Sequence, residues 1–292
     1  MTFASLKVST DNVGDHIQII AARLLLSRLG VVPSRFIDRD NEIKSVPWLD
    51  DQAAPVGIIL NGWFKRNGVE WPPHPKLIPI ILGFHIRPMR CPELVSDASI
   101  EYFRRCQPIG CRDVYTTDLL QSKGVDAFTS NCLSLALPSR IVSTREQTEV
   151  FVVSRDERLT DYIPGSIGPY QFISHYSGTT DFQSNLMKAA EILKIYRTRA
   201  KLIVTTLLHC ALPAIAMGIP VVVFYPINDG SAHESDRERF SSLRELVPIY
   251  HLQKTEAVNW DPVSINVSKT KQLIVDSFYQ MAARWGLGSS GA

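Results

Sequence analysis

Three short stretches of this chain carry residue types suited to anions and proton transfer. Asn12-Val13-Gly14-Asp15 precedes an amphipathic run. Gly14 permits a tight turn, and the helix start beside it offers free N–H groups to an anion. Asp15 repels an anion there, so these residues alone read better as an ordinary helix start capped by Asp15. Gly110-Cys111-Arg112-Asp113 supplies a guanidinium that stays charged and matches phosphate or carboxylate bidentately. A surface Arg bridging to Asp113 is the equal alternative. Thr205-Thr206-Leu207-Leu208-His209-Cys210 puts His209 in the first turn of a helix after an apolar run. A neutral His there donates to an anionic substrate or serves as acid or base. The bland alternative is a buried imidazole bonded to backbone.

Other candidates are single residues at the ends of apolar runs. Asn61 follows one, and His85 follows another, where packing is its default role. His16 follows Asp15 on the first helix and faces a cleft or solvent. Arg155 and Arg158 either bind a second ligand or pair with Asp156 and Glu157. His233 sits in a polar loop with Asp229, Arg237 and Arg239, which is a lid or a solvated connector. His, Asp and Cys never gather at metal-ligand spacing, so no metal site is expected. No phosphate-binding G-x-x-x-x-G-K-[ST] loop, dinucleotide G-x-G-x-x-G or G-x-S-x-G elbow occurs.

Positioning these groups falls to alternating elements. Apolar runs at 56–60, 77–82, 109–111, 150–153, 202–205 and 220–225 read as buried parallel strands. Shorter strands are expected at 35–38, 127–129, 170–174 and 247–252. Helical spacing covers 14–30, 99–106, 113–123, 182–200, 208–217 and 268–285. Strands alternating with helices predict an α/β fold with parallel sheets. A polar stretch at 137–149 separates two such sets. We therefore expect two Rossmann-like domains, 1–140 and 149–285, facing a central cleft, with a C-terminal helix and a flexible tail at 286–292. Ligands in open parallel sheets sit at the carboxyl ends of the strands, so the loops there hold the site.

Composition narrows the function classes. The 292 residues carry a net charge of +2, with 45% hydrophobic and 21% charged residues. That is a globular profile, without the basic excess of a nucleic-acid binder. No apolar run approaches the roughly 18–20 residues of a membrane span. The first residues lack the pattern of a secretory signal. Five scattered Cys read as reduced thiols, so a cytoplasmic location is expected. The oligomeric state is left open.

Taken in order, the motifs resemble those of the polysaccharide pyruvyl transferase family. They are Asn12-x-Gly14-Asp15, then Arg112-Asp113 with Thr116, then Thr205-Thr206-x-Leu208-His209 followed by Gly218-x-Pro220. The resemblance implies a two-domain fold similar to the GT-B glycosyltransferases. It implies transfer of pyruvate from phosphoenolpyruvate to two hydroxyls of a sugar, as a cyclic ketal, with release of phosphate. Phosphoenolpyruvate is then a co-substrate, and no cofactor is expected. The saccharide acceptor, free or lipid-linked, is the other partner; a lipid link would bring the protein to the membrane periphery. On this resemblance Arg112 binds the donor and His209 sits beside it, while Asn12, Gly14 and Asp15 line the acceptor side. We add Thr205, Thr206, Arg155 and Arg239 as donor contacts, and Asn61 and His85 as acceptor contacts. The reaction needs an acid for the enol carbon, assigned to His209, and a base for a hydroxyl, assigned to Asp15.

Two departures accompany the resemblance. Leu207 stands where the family has an Arg, and 130–135 lacks the Asp-Pro pair of many members. Either Arg155, Arg237 or Arg239 supplies the missing anion contact, or the donor is a different molecule. A glycosyltransferase using a nucleotide-sugar and a non-catalytic carbohydrate-binding relative are the alternatives.

Overall fold

The structure is a computed structural model that describes residues 2–50, 52–64, 71–88, 91–142, 145–226 and 240–286. The chain divides into two compact units. Unit 1 takes the chain up to Ser9, Gln18–Ala136 and the chain from Thr270; unit 2 takes Thr10–Ile17 and Leu137–Lys269. Each unit therefore includes a short segment that chain order would assign to the other half.

Unit 1 is built on six strands: β1 (Thr2–Lys7), β2 (Arg35–Asp38), β3 (Val56–Trp63), β4 (Leu77–His85), β5 (Ile109–Cys111) and β6 (Ala127–Thr129). All pair in parallel, in the order β2-β1-β3-β4-β5-β6. Central strands β3 and β4 are buried almost throughout, as helices on both faces require. The helices are α1 (Val13–Ser27), whose first turn belongs to unit 2, α2 (Asp97–Cys106) and α3 (Val114–Ser122). Asp113 caps α3 by accepting from the Thr116 N–H at 2.9 Å.

The strand ends differ from the expectation. β3 continues through Trp63 instead of stopping at Leu60, and β4 continues through His85. Their pairing slips between Leu60 and Gly62. A bulge inserts a residue without ending the ladder, so Asn61 lies inside a strand and not in a loop.

Unit 2 repeats the plan with β7 (Glu149–Val153), β8 (Tyr170–Ile173), β9 (Ala200–Thr205), β10 (Val221–Phe224) and β11 (Ile249–Tyr250). These are parallel, in the order β11-β10-β9-β7-β8. Val150, Val152, Leu202, Val204, Val222 and Phe224 pack as one core on this sheet. Helices α4 (Phe182–Arg199) and α5 (Leu208–Met217) flank β9 in sequence. Gly218 ends α5 in the left-handed region at φ 75°, and the Ile219 N–H donates to Ala214 O at 2.9 Å. Glycine reaches that conformation without a Cβ penalty. The polar stretch expected as a linker opens the main segment of this unit.

Each sheet reverses its strand order once, between β1 and β3 in unit 1 and between β7 and β9 in unit 2. Loops diverge at such a switch point and leave a crevice at the carboxyl ends. Among the described residues no helix is long and apolar enough to cross a membrane. All five cysteines are free thiols.

Candidate active site

The switch point of unit 2 gathers most of the expected residues. β7 runs into Ser154-Arg155, and β9 ends at Thr205-Thr206. Ser154 Oγ and Thr206 Oγ1 lie 3.0 Å apart. The Thr205 hydroxyl donates to Val153 O at 2.6 Å and accepts from the Leu207 N–H at 3.0 Å. Both threonines are buried, and these bonds lock the ends of adjacent strands together.

His209 follows in the first turn of α5, half-buried. Its backbone is not helical, at φ −85° and ψ 16°. Pro213 explains this. A proline has no N–H for the carbonyl four residues back, and its ring presses on that carbonyl. Four residues before Pro213 is His209. The proline therefore re-aims the imidazole-bearing residue while leaving the rest of the helix intact.

The Asn12–Asp15 turn belongs to the same unit. Val13 N–H donates to His175 O at 2.8 Å, and Ser177 N–H donates to Asp11 O at 2.9 Å. Asn12 forms an antiparallel bridge with Tyr176, and Asn185 Nδ2 donates to Thr10 O at 3.0 Å. Asn12 Oδ1 accepts from the Gly14 N–H at 3.1 Å. Asn12 is thus the cap of α1, correcting the expectation that Asp15 is. Asp15 sits buried within the first helical turn, where its charge suits the helix dipole. His16 faces neither cleft nor solvent. It is fully buried, with Nδ1 3.2 Å from Asn12 O and its ring 5.7 Å from that of Phe182.

Gly14 is the point where the turn meets His209. A Cβ on Gly14 would lie 2.7 Å from the Cβ of His209. That neighbour is fixed by the backbone and cannot rotate away. Gly14→Ala is therefore expected to displace His209 or the turn, costing about 1–3 kcal/mol of stability and most of the turnover. Thermal melts and a kcat measurement on the variant check both effects; a fully active Gly14→Ala protein would show that this approach is unimportant.

Beneath the turn lies a buried polar chain that no sequence motif singles out. His175 Nε2 is 2.9 Å from Tyr196 Oη, and Cys210 Sγ donates to the same oxygen at 3.7 Å. It ties the 175–177 loop to α4 and to α5 next to His209. Burial, with a smaller contribution from Lys188, lowers the His175 pKa to about 3, so its ring is neutral. Burial pushes the Cys210 thiol up to about 12, which makes it inert packing.

Arg155 and Arg158 separate cleanly. Arg158 pairs with Asp156, both of its Nε contacts being near 3 Å. Arg155 has no carboxylate partner among the described residues. Its guanidinium lies over the Tyr176 ring, 4.7 Å from the centroid.

A second cluster sits in unit 1 at the carboxyl ends of β4 and β5. His85 Nδ1 is 2.5 Å from Asp113 Oδ2 and 3.2 Å from Thr116 Oγ1. Thr116 donates its hydroxyl to Asp113 Oδ1 at 2.9 Å. Arg112 Nε is 3.8 Å from Asp113 Oδ2, and the Arg112 N–H donates to Phe84 O at 2.7 Å. All three ionisable side chains are almost wholly buried. Burial and the Arg112 charge bring the His85 pKa down to about 4 against the opposing pull of Asp113. Although burial alone would raise it, the Asp113 carboxyl is held below its ordinary range by His85 and Arg112. His85 is thus one member of a buried acid–imidazole–guanidinium set, more than loop packing. Asn61, buried at its bulge, also belongs to unit 1.

Asn12, Gly14, Asp15, Arg155, Thr205, Thr206 and His209 therefore share unit 2, while Asn61, His85 and Arg112 share unit 1. Arg239, with Asp229, His233 and Arg237, lies outside the described residues. Among the described residues no cluster of His, Cys, Asp and Glu could hold a metal ion.

Comparison with known proteins adds three findings. No curated protein matches the chain. Two solved structures are similar. One is a functionally uncharacterized protein of Klebsiella pneumoniae, 14% identical, with 82% of this chain and 88% of that chain covered and a TM-score of 0.47. The other is the glycotransferase of kitacinnamycin, 9% identical, with 97% and 94% covered and a TM-score of 0.32. The family model of polysaccharide pyruvyl transferase matches residues 12–228, from the Asn12 turn past the end of β10, and the chain belongs to that family.

Proposed function

We propose that this protein transfers pyruvate from phosphoenolpyruvate to two hydroxyls of a sugar in a polysaccharide or glycolipid precursor. The products are a cyclic ketal and phosphate. The observation that carries the reading is the meeting of the Asn12–Asp15 turn with His209 at the switch point of unit 2. It joins the first and last motifs of a family whose reaction needs an acid and a base.

The chemistry follows in balanced steps. His209 gives a proton to the methylene carbon of the donor, leaving positive charge on the adjacent carbon. A sugar hydroxyl adds to that carbon and its proton passes to a base, for which Asp15 is our candidate. Phosphate leaves, taking its bonding pair. The second hydroxyl adds, closes the ketal and releases its own proton. Arg112, held by Asp113, is the candidate for stabilising charge on the donor. The scheme draws on no metal or resident cofactor. A cytoplasmic reaction on a free or lipid-linked acceptor belongs to the same proposal.

Donor identity is tested by thermal shift with phosphoenolpyruvate, inorganic phosphate and UDP-, GDP- and CMP-sugars. A ligand at 100 times its dissociation constant adds about 2.7 kcal/mol of stability. Stabilisation by phosphoenolpyruvate is expected. Stabilisation by one nucleotide-sugar class alone would replace this reading with glycosyl transfer.

A further inference from the structure

We infer that Arg155 is the residue that grips an anionic group of the donor at the switch point of unit 2. The inference rests on the proposed function for the identity of that donor and on the structure for the residue.

Four observations lead to it. Arg155 is the second residue beyond β7, on the strand pair where the crevice of this sheet must open. Ser154, its neighbour, lies 3.0 Å from Thr206 through the two hydroxyls, so the Arg155 backbone is anchored beside the strand end that leads to His209. The guanidinium has no carboxylate among the described residues, whereas Arg158, three residues on, is neutralised by Asp156. Finally, the Arg155 side chain is not left to wander. It is stacked on Tyr176, and Tyr176 bridges to Asn12, the cap of the turn that touches His209.

An exposed cation gains little from a surface position, and ordering it costs side-chain entropy. Stacking on an aromatic ring restricts it while leaving its N–H fork unspent. That is the state in which a guanidinium is ready for a bidentate bond to phosphate or carboxylate. Leu207, the cap residue just before α5, carries no charge. An anion bound near His209 therefore finds its compensating charge across the crevice, from β7. Phosphoenolpyruvate carries two such groups, a carboxylate and a phosphate. The Tyr176 ring sets the reach and direction of the fork, which makes Tyr176 a positioning residue for Arg155.

The test is equilibrium binding of phosphoenolpyruvate and of inorganic phosphate to wild type, Arg155→Ala, Arg155→Lys and Arg158→Ala. Loss of one charge-assisted contact is expected to weaken phosphoenolpyruvate by about tenfold or more in Arg155→Ala. Arg155→Lys should fall between, since a lysine keeps the charge without the fork. Arg158→Ala should bind as wild type does, and all three variants should melt near the wild-type temperature. Equal binding by wild type and Arg155→Ala would overturn the inference while leaving the donor reading intact. Arg155-dependent binding of phosphate without binding of phosphoenolpyruvate would support the anion contact and overturn the donor reading. Wild type that binds neither anion would overturn both.

Discussion

Replacing His209 with Gln is expected to lower turnover by about a hundred- to ten-thousand-fold with the fold retained. His209 is half-buried, on an irregular first turn of α5. Gln keeps the Cβ that faces Gly14, so the turn should not move. It also keeps a hydrogen-bonding end, so donor affinity should change little. What it lacks is a group able to give a proton near neutral pH. The signature is a fall in kcat with a nearly unchanged dissociation constant for phosphoenolpyruvate. Full turnover by His209→Gln would remove the acid role. A matching fall in binding would reassign His209 to substrate contact.

Acid should unfold this protein well before its carboxylates are fully protonated. His85 and His175 are buried neutral, with pKa values lowered to about 4 and about 3. In the unfolded chain both titrate near 6.5. Between those values the unfolded state binds more protons, so stability rises with pH there and is lost as pH falls. Their contribution is fully present above about pH 6.5. At about 1.4 kcal/mol per pKa unit, His85 alone accounts for roughly 3 kcal/mol lost by pH 4. His175 adds at least a comparable amount. Asp113, held below its ordinary carboxyl range, extends the loss to lower pH. Against a total stability of about 5–15 kcal/mol, this is decisive. Urea melts at pH 7, 5.5 and 4.5 should show a steep decline, flattened in His85→Gln relative to its own value at pH 7. A flat profile would mean that water or a partner group reaches these rings.

Much of the scaffold was legible because parallel strands buried on both faces must read as continuous apolar runs. The 77–82 and 202–205 runs became β4 and β9, and helical spacing at 182–200 matched α4 to within a residue. What failed was local. A bulge carries no hydrophobic signature, so Asn61 and His85 were expected in loops and lie in strands. Asn and Asp are both good caps, so Asn12 and Asp15 look alike at the start of α1 until the hydrogen bond to the Gly14 N–H distinguishes them.

The site was legible as separate motifs, not as an assembly. Nothing in the Asn12 turn shows that it pairs with Tyr176, more than 160 residues away in the chain. The same holds for His175 and Tyr196, whose spacing fits no periodic pattern. Asp113 could be read as a helix cap, yet the Asp113–His85 contact needed the register of β4 against β5. One clue was available and informative: Pro213 inside an apolar helical run marks the distorted turn at His209.

Pyruvyl transfer is tested by offering the protein phosphoenolpyruvate and a panel of saccharide acceptors, then following phosphate release together with acceptor mass. The expected result is one phosphate released for each acceptor that gains a pyruvyl ketal, with the signal lost in His209→Gln. Glycosyl addition from a nucleotide-sugar, with phosphoenolpyruvate left untouched, would contradict it.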